Sequence, residues 1–128
     1  MAAPLWNDHP RYWPWRGTAR MVEGGSDMWA QLMSFRVKPG KDTAGLREQL
    51  QAVEQADSGL LRTMIMQDQK DPDLFYTLVV FESEEKARAR ERDPRRQEGL
   101  QVLRAMLADR LAGPPEFTDL AVMEEWTG

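Results

Sequence analysis

Two stretches of this chain are apolar at consecutive positions where a half-buried strand would alternate. Met64-Ile65-Met66 and Leu78-Val79-Val80-Phe81 lie in short segments, 60–67 and 74–82, bounded by Ser58-Gly59 and Lys70-Asp71-Pro72. Segments this short, fenced by turn residues, read as strands; the second is also rich in β-branched and aromatic side chains. A strand with one wet face alternates apolar with polar residues. These two need cover on both faces, and that requirement limits the possible folds more than any other feature.

The remaining elements supply cover for one face only. Residues 28–37, MWAQLMSFRV, form a strand with Trp29, Gln31, Met33, Phe35 and Val37 on one side and Met28, Ala30, Leu32, Ser34 and Arg36 on the other. A turn follows at Lys38-Pro39-Gly40-Lys41, and Asp42 is a candidate N-cap for a helix over 42–56 with Leu46, Leu50 and Val53 on one stripe. Ser83 caps a second helix, with Glu84 and Glu85 in the first turn where the helix dipole favours them. Asp93-Pro94 breaks it, and a further helical segment over 95–112 carries Leu100, Leu103, Leu107 and Leu111. Gly113-Pro114-Pro115 stops that segment before a last strand over 117–126. The order β-α-β-β-α(α)-β specifies an α+β, ferredoxin-like split βαβ fold, a four-stranded antiparallel sheet with helices on one face. The other face is most simply covered by a second copy, so a homodimer packed sheet to sheet is expected. The alternative is a monomer whose N-terminal arm lies across that face.

Composition excludes several functions. The chain has 128 residues, no cysteine and a single histidine, His9. Disulfides, thiolate nucleophiles, zinc–cysteine sites and multi-histidine metal sites are therefore ruled out, and no metal is expected. A net charge of -4 argues against a nucleic-acid partner, which calls for a basic surplus. No apolar run is long enough to span a membrane, and the N-terminus lacks the basic and apolar regions of a secretory signal. The expected setting is the cytoplasm. Residues 1–27 read as an extension separate from the domain at 28–128: Pro4, Pro10 and Pro14 break helices, and Trp6, Tyr12, Trp13 and Trp15 fall close together. Such an arm fits docking on the fold or dimer, a lid over a pocket, or a start placed upstream of Met21 or Met28.

A collinear set of local patterns resembles the antibiotic biosynthesis monooxygenase domains of the dimeric α/β barrel superfamily. They are Val37-Lys38-Pro39-Gly40-Lys41, Ser58-Gly59-Leu60-Leu61-Arg62, Asp71-Pro72-Asp73, Val80-Phe81-Glu82-Ser83-Glu84-Glu85 and Asp93-Pro94. The resemblance implies an apolar pocket between sheet and helices that takes a small apolar or aromatic ligand, such as a quinol or aromatic polyketide. It also implies oxygenation without metal or flavin, because a deprotonated, desolvated phenol can itself donate an electron to O₂. The haem-degrading branch is similar in fold but carries a strand asparagine, a tryptophan ending the third strand and a haem-ligating histidine. Here the only asparagine is Asn7, the only histidine is His9, and Phe81 stands at the tryptophan position, so no haem and no other cofactor is expected.

If the Phe81 position faces the pocket, as the resemblance implies, Phe75, Thr77 and Val79 share its face and Trp29, Gln31, Met33 and Phe35 form the matching set. The candidate substrate-binding residues are then Trp29, Gln31, Met33, Phe35, Thr77 and Phe81, with Arg90 near a position where relatives carry a pocket histidine. The competing reading is that these side chains simply fill the core. Arg62 and Tyr76 belong to the opposite face, where Arg62 needs a carboxylate such as Asp119 or Glu124. The basic run from Lys86 to Arg96 reads as a solvated helix face. No catalytic residue stands out. Three activities remain: a cofactor-independent monooxygenase, a non-catalytic ligand-binding or structural homodimer, or an isomerase or cyclase on a polyketide-like substrate.

Overall fold

The structure, a computed structural model, describes residues 27–128. The aromatic-rich arm expected at 1–27, together with His9 and Asn7, thus lies almost wholly outside the described residues. Four strands form one antiparallel sheet: β1 (Trp29–Arg36), β2 (Leu60–Gln67), β3 (Leu74–Phe81) and β4 (Glu116–Ala121), in the order β2-β3-β1-β4. Between them lie the helices α1 (Leu46–Ala52), α2 (Glu84–Arg92) and α3 (Gln97–Arg110), with a 3₁₀ turn at Pro94–Arg96. This is the ferredoxin-like α+β architecture. No helix among the described residues is long and apolar enough to cross a membrane.

Several boundaries differ from those read in the sequence. The first helix spans Leu46–Ala52 rather than 42–56, because Gly45, not Asp42, stands at its N-cap with φ near 80°. Asp42 instead accepts a hydrogen bond from the Ala44 N–H, a local turn that competes with helix formation. The last strand ends at Ala121, well short of Trp126. Asp93 closes α2, and its side chain accepts from the Arg95 N–H to start the 3₁₀ turn before α3.

Register decides which residues meet. Pairing of β1 with β3 sets Trp29 opposite Phe81, Gln31 opposite Val79, Met33 opposite Thr77 and Phe35 opposite Phe75. All eight point towards the helices. Between Leu60 and Arg62 a bulge in β2 absorbs Leu61, so Leu60 pairs with Phe81 while Arg62 pairs with Val80 on the open face. At one end of the helix-facing side, Phe35, Val37, Leu46, Leu100, Leu103, Leu107 and Leu111 form one buried cluster. At the other end Trp29, Phe81 and Ala87 form a second. The middle rungs, Gln31/Val79 and Met33/Thr77, separate the two.

Candidate functional site

That separation is where the candidate site lies. The Trp29 and Phe81 rings pack 6.2 Å apart at 46°, and the Phe35 and Phe75 rings stack at 5.5 Å and 11°. These aromatic pairs close the two ends of the layer. Between them an inner chamber of about 100 Å³ is lined by Gln31, Met33, Thr77, Val79 and Phe117 from the sheet, and by Leu50, Leu100, Leu103, Arg90, Glu91 and Arg96 from the helical layer, among others. An outer cleft of about 380 Å³ opens towards the β2 edge between Thr63, Ile65, Arg47, Gln51 and Glu54. Leu50, Thr77, Val79 and Arg90 line both spaces, forming the partition between them.

The polar groups at this waist are few and mostly tied down. Gln31 donates from Nε2 to Asp119 Oδ1 at 3.0 Å. Asp119 therefore lies on the helix-facing side, not beside Arg62 as expected, because β4 pairs Asp119 with Gln31. Arg90 donates from Nε to Glu54 Oε2 at 3.2 Å and pairs through Nη2 with Glu54 Oε1. Its guanidinium carbon sits 5.1 Å above the centre of the Phe81 ring. Arg96, only 2 % exposed, donates from Nε to the Val53 carbonyl at 2.7 Å and from Nη1 to the Arg90 carbonyl at 3.0 Å. Glu91 lies 3.8 Å from both Arg96 and Arg104. Burial, and then repulsion from Arg96, pushes the Arg90 guanidinium down to about 10, which leaves it cationic at neutral pH. Burial lowers Arg96 likewise, partly offset by Glu91 and Asp93.

One group has no partner. Thr77 is 7 % exposed, and its Oγ1 makes no hydrogen bond. An unpaired hydroxyl in such surroundings costs about 1–3 kcal/mol, and it sits on the wall shared by chamber and cleft.

Of the seven candidate residues, Gln31, Met33, Thr77 and Arg90 come together at one space. Trp29, Phe35 and Phe81 lie in the packed clusters to either side and do not line the chamber. The basic run is not uniformly solvated as expected: Arg90 is largely buried against Phe81 and Glu54, and the Asp93-Pro94 break turns the chain so that Arg96 is buried against the Val53 and Arg90 carbonyls. Sequence reasoning missed Glu54, Glu91 and Arg96. Their partners are tens of residues away or hidden in a charge run, and the one local signal was the Asp93-Pro94 turn. Neither carboxylate at the waist is a free base, since each faces arginine.

Comparison with known proteins bears on the family and the fold. The family model for antibiotic biosynthesis monooxygenase matches residues 28–102. The chain belongs to that family. No curated protein matches the sequence. Among solved structures, a candidate antibiotic biosynthesis monooxygenase from Chloroflexus aurantiacus superposes with a TM-score of 0.60 at 24 % identity, covering 78 % of this chain and 97 % of that one. SnoaB, a cofactor-independent oxygenase from Streptomyces nogalater, gives 0.57 at 13 % identity over 78 % and 97 %. A protein of unknown function from Nitrosomonas europaea gives 0.60 at 20 % identity over 82 % and 98 %. At these identities the superpositions establish the fold of the family member described here.

Proposed function

We propose that this family member is a cofactor-independent monooxygenase of the cytoplasm that acts on a small aromatic or quinol-type molecule held between sheet and helices. The observation that carries the reading is the apolar chamber whose wall holds one buried hydroxyl without a partner, Thr77 Oγ1. A ligand bearing a phenolic oxygen would satisfy that hydroxyl while Met33, Leu50, Leu103 and Phe117 exclude water from its ring. Trp29, Phe35 and Phe81 then act as rigid end walls rather than contacts, and Gln31 and Arg90 orient polar substituents. Desolvation and orientation would be the protein's main contribution, because the substrate anion itself reduces O₂. With a quinol, one oxygen atom enters the ring, the product leaves as a hydroxyquinone, and the other oxygen leaves as water.

We further propose that the working form is a homodimer joined through the open sheet face. Met64 and Met66 on β2 and Leu120 on β4 stand exposed there beside half-buried Leu32, Leu78 and Val80. A specific observation favours a second reading, a non-catalytic ligand-binding dimer. The inner chamber alone is smaller than the roughly 300 Å³ typical of ligand pockets, so a substrate must also extend into the cleft. Oxygen uptake by the purified protein with a panel of quinols separates the two. Uptake with stoichiometric hydroxyquinone supports oxygenation; tight binding of the same quinols without uptake supports the second reading.

A further inference from the structure

Arg90 is the one cationic side chain that lines both the inner chamber and the outer cleft, among the described residues. It is held by a single carboxylate, Glu54, through both Nε and Nη2. Arg96 beside it donates to two backbone carbonyls, those of Val53 and Arg90, and its Nη2 stands 3.9 Å from Glu54 Oε1, a longer and weaker contact than the paired hydrogen bonds from Arg90. The arginine facing the ligand space therefore has its anion-binding edge occupied, and the occupant comes from the chain itself.

Glu54 is placed to leave. It lies just beyond α1, on the wall of the cleft, and its side chain is a quarter exposed while that of Arg90 is 9 % exposed. The Arg96–Val53 bond pins the backbone one residue before it, so the carboxylate can swing towards solvent without unfolding the segment. An incoming oxyanion would take over the fork of donors on Arg90, and the charge count at the waist would stay the same. Thr77 Oγ1, unpartnered on the same wall, would add a hydrogen bond that Glu54 does not use. A neutral ligand has no such exchange to make and must leave the ion pair standing.

We infer that Glu54 is a built-in counter-anion that occupies the anion subsite on Arg90, and that an anionic aromatic ligand binds by displacing it. Glu54 is then a specificity-determining residue. It weakens anion binding to the level at which only a ligand that also fills the chamber can compete, and it keeps a buried arginine from standing unpaired in the empty protein. This rests on the reading of chamber and cleft as the ligand site.

The test compares a permanent anion with a neutral isostere, naphthalene-2-sulfonate and naphthalene-2-sulfonamide, by titration calorimetry on the full chain and on Glu54→Gln. Removing the competing carboxylate should tighten sulfonate binding roughly tenfold, the equivalent of one charge-assisted hydrogen bond no longer exchanged. Sulfonamide affinity should change less than twofold, and the gain should shrink as salt rises. Arg90→Gln in the Glu54→Gln background should abolish the preference. An unchanged sulfonate-to-sulfonamide ratio overturns the inference, because removing a carboxylate that competes for Arg90 must favour the anion over its neutral isostere. A crystal of the unaltered protein with the sulfonate separates displacement from mere relief of charge repulsion, which would leave the Glu54–Arg90 pair intact. Should Glu54→Gln fail to fold, a crystal of the unaltered protein with naphthalene-2-sulfonate decides: Glu54 turned away from Arg90 supports the exchange, and an intact pair with the anion elsewhere refutes it. Failure of both probes to bind either protein counts against this inference and against the chamber as a ligand site. Binding without oxygen uptake counts only against the oxygenase reading.

Discussion

The two faces of the sheet solve the same burial problem by different means. Under the helices, Phe81 is 0 % exposed and Phe35 3 %, and nearly every polar side chain at the waist has a partner. On the far face the strands are just as apolar, yet Met64 is 37 % exposed and Leu120 38 %. The covered face is complete within one chain. Among the described residues the open face carries the composition of a core without the neighbours that make one, so its contribution to stability depends on what packs against it.

Phe81→Ala should have the largest effect. It removes a fully buried ring that touches Trp29 and supports the Arg90 guanidinium. A loss of about 3–5 kcal/mol is expected, a large part of a typical domain's stability, and denaturant unfolding measures it. A loss below 1 kcal/mol would mean that the Trp29 cluster is not a true core.

Met64→Lys probes the other face. If that face pairs with a second copy, two buried lysines brought together should dissociate the dimer by a hundredfold or more, on the order of 3 kcal/mol, read by sedimentation at graded concentration. The protomer itself should lose less than about 1 kcal/mol, as exposed substitutions do. The contrast with Phe81→Ala is the point: one substitution breaks the fold and the other breaks only the assembly. A protomer that unfolds on Met64→Lys, or a wild-type chain that sediments as a monomer, would erase the distinction.

The sequence revealed these two faces unequally. Consecutive apolar residues in 64–66 and 78–81 announced that both sides needed cover, and alternation from Phe81 back to Phe75 placed the right side chains under the helices. Those are local, periodic signals. The polar waist was illegible because each pairing there spans long chain distances: Arg90 with Glu54, Arg96 with Val53, Gln31 with Asp119. Asp119 looked like a partner for Arg62 until the β1–β4 register set it opposite Gln31. Nor could composition tell a chamber from a filled core. That outcome depends on where Gly99 lets Val53 of the α1 connection approach α3, since a Cβ at Gly99 would fall 2.3 Å from Val53 Cγ1.

Thr77→Val sharpens the covered face itself. Valine has nearly the shape of threonine and removes the one buried hydroxyl without a partner among the described residues. With the chamber empty the variant should gain about 1 kcal/mol in stability, seen as a small rise in Tm. Binding of a phenolic ligand should weaken at the same time. A fall in stability would instead show that the hydroxyl already has a partner, such as an ordered water, in the free protein.

The smallest effect concerns the turn that carries Arg96 inward. Hydrogen bonds from the Arg95 side chain and backbone hold the Asp93 carboxyl down to about 2, below its ordinary range. A carboxylate with a lowered folded pKa stabilises the fold above its unfolded pKa, near 4, and loses that contribution as pH falls towards 2. Asp93→Asn should therefore flatten the acid limb of the Tm–pH curve between about pH 4 and 2 and slightly lower Tm at neutral pH. Asp93 is half-buried but its partner Arg95 is exposed to solvent, so both changes should be slight and should fade with added salt. If Asp93→Asn left the acid limb unaltered while loosening Arg96, the covered face would depend on the turn's backbone geometry and not on its charge.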